Sequence, residues 1–406
     1  MTGEEYLEYN RKKALTYDSL VKKGYAGFFK ILDSRVKELG EIGEDGFHCF
    51  AGYYDIDNIS PNGNFLLYLK VKNNAVPGVD FAMIMVFDLR AKKSTLLTKT
   101  MAWCWQQGCR LRWENNDSFI YNDFANGQYI TKRYCLISQK SEIAYKHAFY
   151  DVHFATKKAF WTNFDRLQAN RPGYGYSCGK IDLDDIDSDG LFAEDLIENT
   201  ETRLISLPQL KSEANAKPED NHYINHISIS PSGSRVMYFH LWAKDNLDMW
   251  KMKVYVSDVD GNNRQVIEDT NIVSHYAWLN DDVLLLTRVF DGRCDYCFYH
   301  IKSGKKEILN SPDLTNDGHP TFLSKRFFIS DTYPLKNSIQ SLFLFDILKN
   351  KAIPLIDAFS DPRLYIDKRC DLHPRVHKGG LLINFDTTFK NGLRTIKIIK
   401  LEGCYE

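Results

Sequence analysis

Ile227-Ser228-Ile229-Ser230-Pro231-Ser232-Gly233 reads as an alternating strand closed by a tight turn, because Pro presets a turn φ and Gly supplies the positive φ that ends it. Asn58-Ile59-Ser60-Pro61-Asn62-Gly63 repeats the whole pattern. Leu111-Arg112-Trp113, Asp151-Val152-His153, Tyr276-Ala277-Trp278, Pro320-Thr321-Phe322 and Pro374-Arg375-Val376-His377 repeat its strand. Downstream of the first six units comes a hairpin, as in Val254-Tyr255-Val256-Ser257 with Gln265-Val266-Ile267, or Leu344-Phe345-Asp346-Ile347 with Ile353-Pro354-Leu355. The register residues Ile59, Trp113, Val152, Ile229, Trp278, Phe322 and Val376 recur every ~40 to ~55 residues, apart from one gap of ~75, which is the period of a four-stranded propeller blade. The expected fold is therefore all-β, a seven-bladed β-propeller with four-stranded blades over residues 46–406. Residues 1–45 are expected to form a short helical extension, with Leu7, Leu15, Leu20 and Val21 at roughly helical spacing.

The long gap lies in the third unit and holds Gly173-Tyr174-Gly175-Tyr176, an Asp-rich run and the polar stretch Lys211 to Asn221, all read as inserted loops. The seventh unit supplies about three strands, so Phe47 to Tyr53 is expected to pair with it and close the ring. The 406 residues are 44% hydrophobic and 26% charged, ordinary for a chain with a sizeable core. Lys plus Arg (52) and Asp plus Glu (53) cancel to a net charge of −1, which gives no electrostatic case for nucleic acid or an anionic membrane. No apolar run approaches the ~20 residues of a membrane span. The amino terminus lacks a continuous apolar signal core, and the nine cysteines are scattered, a usage that fits a reducing cytoplasm. Cys294 and Cys297 form a lone CxxC without a second pair, read as two buried strand cysteines. Asp182 to Gly190 contains DxDxDG, but Leu196 stands where a calcium loop wants Glu, so the run reads as an acidic surface turn.

Three positions before the register residue of the last four units stand His226, His275, His319 and His373. The innermost strands of a propeller line one channel, so equivalent positions form a ring and these imidazoles are expected to converge. Neutral imidazoles are the commonest ligands of divalent transition metals, and one left free can act as a base near neutral pH.

At these residues the chain resembles the oligogalacturonate lyases: His226-Ile227-Ser228-Ile229-Ser230-Pro231 is similar to their His-x-x-Phe-Ser-Pro element, and Ser274-His275-Tyr276-Ala277-Trp278 to their Thr-His-Glu-x-Trp element. A second resemblance, over nearly the whole chain, is to propeller proteins encoded among bacterial surface-polysaccharide (capsule) genes. It rests on Trp105-Gln106-Gln107-Gly108, Arg171-Pro172-Gly173-Tyr174-Gly175-Tyr176, Asp317-Gly318-His319-Pro320, Asp331-Thr332-Tyr333-Pro334 and Arg369-Cys370-Asp371-Leu372-His373-Pro374-Arg375. The resemblance implies a metal-dependent, cytoplasmic polysaccharide lyase that cleaves a uronate-containing oligosaccharide by β-elimination and holds a divalent ion of the manganese type. His275 and His319 match metal ligands and His226 the catalytic base, while His373 is added as a third ligand from the ring alone. The Gln and second His that the lyases carry in the sixth unit have no clear counterpart here. β-Elimination also needs the uronate carboxylate gripped, for which Arg369, Arg166 and Arg171 are the candidates, and Tyr174, Tyr176, Trp105 and Trp242 are candidates for stacking on sugar rings. The competing expectations are a non-catalytic glycan-binding or scaffold propeller of the same pathway and a protein-interaction propeller, because a fold does not settle function.

Overall fold

The computed structural model describes residues 3–246, 249–290, 293–377, 379, 381–389, 391–403 and 405. Its strands fall into seven antiparallel sheets that follow the repeat along the chain, one sheet per blade of the expected seven-bladed propeller. Each blade is sandwiched between two others, so its inner strands are apolar on both faces: in Arg235–Ala243 every residue from Val236 to Trp242 is buried. The outermost strands face water on one side, and Lys93–Thr100, Lys140–Tyr145 and Lys305–Leu309 are largely exposed. The repeated Ser-Pro turns close as the sequence requires, with Gly63 N–H on Ser60 O at 2.7 Å and Gly233 N–H on Ser230 O at 2.9 Å, both glycines at positive φ.

Ring closure differs from the expectation. Phe47–Phe50 pairs with Phe65–Lys72 inside the first blade, not with the last. Ile59 bridges Leu66 of that same strand, so the innermost strand of the first blade is split and residues 51–57 leave the sheet. The seventh blade, Arg375–His377, Leu382–Thr388 and Arg394–Leu401, takes its fourth strand from Val36–Ile42, in a register running from Val36 opposite Leu401 to Ile42 opposite Ile396. Helix ends earlier than the spacing suggests, with Gly3–Ala14 and Tyr17–Lys22, and Phe29–Ile31 adds a fifth strand to the sixth blade opposite Ala358. Joining the two ends of the chain in one sheet satisfies backbone donors that would otherwise stand at open edges.

The third-blade gap is not all loop. Phe164–Asn170 forms a helix capped by the Asn163 side chain, and Leu207–Glu213 forms another capped by Ser206 with Pro in its first turn. Gly175 lies against Phe164 O and Gln168 N so closely that a Cβ would clash, which lets Arg171 to Tyr176 fold back over the first of these helices. Cys294 and Cys297 both lie on the strand Arg293–His300, the second buried and the first only half-buried.

Buried histidines make the fold acid-sensitive. Burial, with Arg394 beside it, lowers the His48 pKa to about 4, and burial with Lys211 nearby lowers that of His222 to about 4. The unfolded chain takes up these protons near pH 6.5 and the folded chain only near pH 4, so stability is complete above pH 6.5 and declines as pH falls between those values. Each of the two histidines contributes a loss of about 2 kcal/mol between pH 7.5 and 5. Denaturant melts at the two pH values measure it; equal midpoints would contradict the assignment.

Candidate metal centre in the central channel

The four histidines of the repeat do meet, around a residue that the repeat does not contain. Tyr53, carried inward by the segment that leaves the first blade, has its ring centre 4.8 Å from His373, 5.6 Å from His226, 6.2 Å from His319 and 6.5 Å from His275. His275 and His319 lie 4.0 Å apart, His319 and His373 4.4 Å apart. His226 stacks on Tyr53. His226 and His373 reach the channel through left-handed backbone (φ 52 and 46), a conformation that non-glycine residues adopt rarely and that re-aims the side chain out of the strand alternation. In the fourth blade the pairing slips between Asn225 and Ser228, and the Tyr150 hydroxyl accepts the freed His226 N–H at 3.0 Å.

Carboxylates orient the row. His275 Nδ1 donates to Asp317 at 3.0 Å, and His319 Nδ1 to Asp331 at 2.8 Å. Asp331 also accepts the backbone N–H of His319 and of His373, so one fully buried carboxylate fixes two neighbouring blades. A carboxylate on Nδ1 leaves the lone pair on Nε2, the tautomer that metal-ligating histidines use. The Nε2 atoms of His319 and His373, Nδ1 of His226 and the Tyr53 hydroxyl are buried without a hydrogen-bond partner. Orphaned acceptors of this kind carry a desolvation cost that a cation would offset. Among the described residues, the donors near enough to share one ion here are His319, Asp371 and His373, all within 4.8 Å of one another. His275 flanks this trio, and Asp371 enters it. The donor set, two imidazoles and a carboxylate, suits a divalent transition ion.

Burial and the neighbouring imidazoles hold the pKa of His226, His373 and His275 below its usual value, so all three are neutral at pH 7. For His319 burial works the same way, but Asp331 outweighs it and the pKa is raised. Asp317 is the converse: burial opposes ionisation, yet His275 keeps its pKa low.

The sequence-nominated partners separate into two groups. Arg369 stands beside the trio, donating to Asp371 at 2.7 Å and to the Tyr174 hydroxyl at 2.8 Å. Arg171 lies over Trp250 (3.8 Å to the ring centre) and near Tyr174 (5.3 Å). Arg171, Tyr174, Trp250, His226, His275 and Tyr333 together line a narrow cleft with space for roughly one water. A roomier cavity further along the channel is lined by Tyr54, Asp55, Tyr276, Trp278 and Phe322 and by none of the four histidines.

Arg166, Tyr176, Trp242 and Trp105 are not brought to this cleft. Arg166 is buried with its guanidinium on Asp189 and on the carbonyls of Asp182, Leu183 and Asp185, so it clasps the acidic run from within. That run is accordingly more than a surface turn, since its last carboxylate is buried. Tyr176 stacks on Phe164 at 4.4 Å and accepts from Asn122. Trp242 stacks with His222 and His240, and Trp105 packs on Trp103 and Phe50. Asp371 and Asp331 were legible in principle: Asp371 precedes His373 by two, so an extended chain points both to one side, and Asp331 opens the quoted Asp-Thr-Tyr-Pro segment. Tyr53 carries no such signal.

The sequence matches no protein-family model and no curated protein. The fold is shared with solved structures: an oligogalacturonate lyase in complex with manganese (13% identity, 93% of this chain and 98% of that chain, TM-score 0.62) and the oligogalacturonate lyase of Vibrio parahaemolyticus (13%, 94% and 98%, 0.63). The tricorn protease is a more distant likeness (10%, 89% of this chain and 35% of that chain, 0.51). At these identities the likeness is one of fold, the seven-bladed propeller with four-stranded blades.

Proposed function

We propose that the channel holds a divalent cation of the manganese type and that the protein is a lyase acting on a uronate-containing oligosaccharide of surface-polysaccharide metabolism. The observation that carries the reading is the buried row of histidines, with the His275 and His319 rings oriented by carboxylates and the Nε2 atoms of His319 and His373 orphaned, on a fold shared with a manganese-bound oligogalacturonate lyase. A cation at His319, Asp371 and His373, flanked by His275, would act as a Lewis acid on the uronate carboxylate and make the C5 proton more acidic. Arg369 and Arg171 supply guanidinium donors for the same carboxylate. His226, neutral and with an unpartnered Nδ1, takes the C5 proton; the electron pair forms the C4–C5 double bond as the C4–O bond breaks, and the departing oxygen takes up a proton. Tyr53, whose hydroxyl keeps its proton through burial, is the group best placed to donate it.

The test is a panel of acidic oligosaccharides with added manganese, read by the ultraviolet absorbance of the unsaturated product. His226→Ala should keep cation and glycan binding and lose ~10²-fold or more in product formation, the scale of a missing general base. Arg369→Ala should raise KM and lower kcat together, because a carboxylate grip acts in ground and transition states alike. The narrowness of the cleft and the position of Tyr53 among the histidines favour a second reading, a non-catalytic glycan-binding scaffold; glycan binding without any unsaturated product across the panel would select it.

A further inference from the structure

A second cluster of metal-binding side chains lies away from the channel, at the join of the second and third blades. His147 belongs to the link between the strands Lys140–Tyr145 and Asp151–His153, while Glu194 and Glu201 are directly opposed on Gly190–Asp195 and Thr200–Ser206. One donor atom from each of the three lies within 4.8 Å of the other two. On a tetrahedral zinc the donors would be about 3.3 Å apart, so His147 and Glu201, now 2.5 Å apart, would separate slightly to admit the ion.

Three features set this cluster apart from ordinary surface acids. Glu194 is fully buried, and neither of its carboxylate oxygens has a hydrogen-bond partner. Like charges directly opposed across two strands destabilise a sheet unless something positive lies between them. The cation nearest the pair, Lys146, reaches only Glu201, at 3.9 Å, and its side chain is about half exposed. The imidazole of His147 is held rather than free: it stacks on Trp161 at 4.1 Å, Trp161 stacks on Phe192 at 4.0 Å, and the His147 carbonyl accepts from Thr131 at 2.7 Å. Its Nε2 lies 2.5 Å from Glu201 Oε2, within ion-pairing distance. The group left unsatisfied is the Glu194 carboxylate, and an ion set between it and the His147–Glu201 pair would satisfy it. Glu201 and His147 are both partly exposed, which leaves an entry route from solvent.

We infer that His147, Glu194 and Glu201 form a second divalent-cation site, of a kind that takes zinc, which pins the third blade to the second. One imidazole and two carboxylates match the nitrogen and oxygen ligands zinc uses, with water completing the shell. The site is structural: Glu194 and Glu201 sit on the two outer strands of the third blade, and a bound ion would remove the repulsion between them.

Zinc equivalents are measured by equilibrium dialysis on the full-length protein, on Glu194→Gln, and on His319→Ala, which disables the channel. We expect His319→Ala to retain one zinc equivalent, and Glu194→Gln in the His319→Ala background to lower its affinity by more than about tenfold, as loss of a metal-site group does. Glu194→Gln removes a buried charge and is expected to leave the circular-dichroism spectrum unchanged. Cobalt(II) gives an independent readout: bound at His147, it should quench the stacked Trp161, and the quenching should disappear in Glu194→Gln. Zinc binding and cobalt quenching that are the same with and without Glu194→Gln would overturn the site, as would the absence of any zinc from His319→Ala.

Discussion

His319→Ala is expected to lose the channel cation and, with it, about three orders of magnitude of any elimination activity. The reasoning begins with position: His319 stands in the middle of the row, 4.0 Å from His275 and 4.4 Å from His373, and is one of three residues whose donors can meet on one ion. It is also the imidazole most firmly oriented, since Asp331 accepts both its Nδ1–H and its backbone N–H. Removing it leaves Asp371, already shared with Arg369, and His373 as a two-donor remnant. Lewis-acid assistance is worth several kcal/mol of transition-state stabilisation, and ~4 kcal/mol corresponds to ~10³-fold in rate. Elemental analysis and the unsaturated-product assay measure the two losses separately. Full manganese content in the variant would remove His319 from the ligand set, whatever the activity.

Arg375→Ala is expected to destabilise the fold by ~3–5 kcal/mol, the usual consequence of stripping one partner from a buried ion pair. Arg375 is wholly buried; it donates to Asp386 at 2.6 Å, to Asn384 at 2.8 Å and to the carbonyl of Gly52 at 2.7 Å. The last of these ties the seventh blade to the segment that carries Tyr53. Without the guanidinium, Asp386 keeps the long contact from the Ala51 N–H (3.3 Å) and the more distant charge of Arg394, and burial drives it further towards protonation. Denaturant unfolding should show a lower midpoint at an unchanged slope. The double variant with Asp386→Ala should lose less than the sum of the two single changes, because the orphaned charge is gone. A single-variant loss under ~1 kcal/mol would mean that water reaches the site.

Both predictions depend on features of unequal legibility. The blade repeat was readable because turn chemistry and strand alternation are local, as in Ser230-Pro231-Ser232-Gly233, and because seven copies reinforce one another. The histidine row followed from it: a residue three places before each register position enters the same channel whenever the blades are equivalent. Arg171 and Tyr174 were nominated by their motifs and line the cleft, and Arg369 donates to the Tyr174 hydroxyl, but Arg166 has the same chemistry and is spent on backbone carbonyls and Asp189. No local pattern separates an arginine that faces a cleft from one that closes a loop, since the difference lies in what the chain brings to it.

Sequence by itself determined the all-β class, the number of blades, the register and the four imidazoles of the channel, because each is a periodic property of residues close in the chain. Only the tertiary structure decided how the ring closes. Val36–Ile42 buries only its two end residues, a pattern that a helix face shares, and its partner Arg394–Leu401 lies at the other end of the chain. Tertiary structure likewise placed Tyr53 among the histidines, brought His319 to Asp371 and His373, and set His147 beside Glu194 and Glu201. These are contacts between segments whose separation in sequence bears no fixed relation to their separation in space, so no spacing in the chain encodes them.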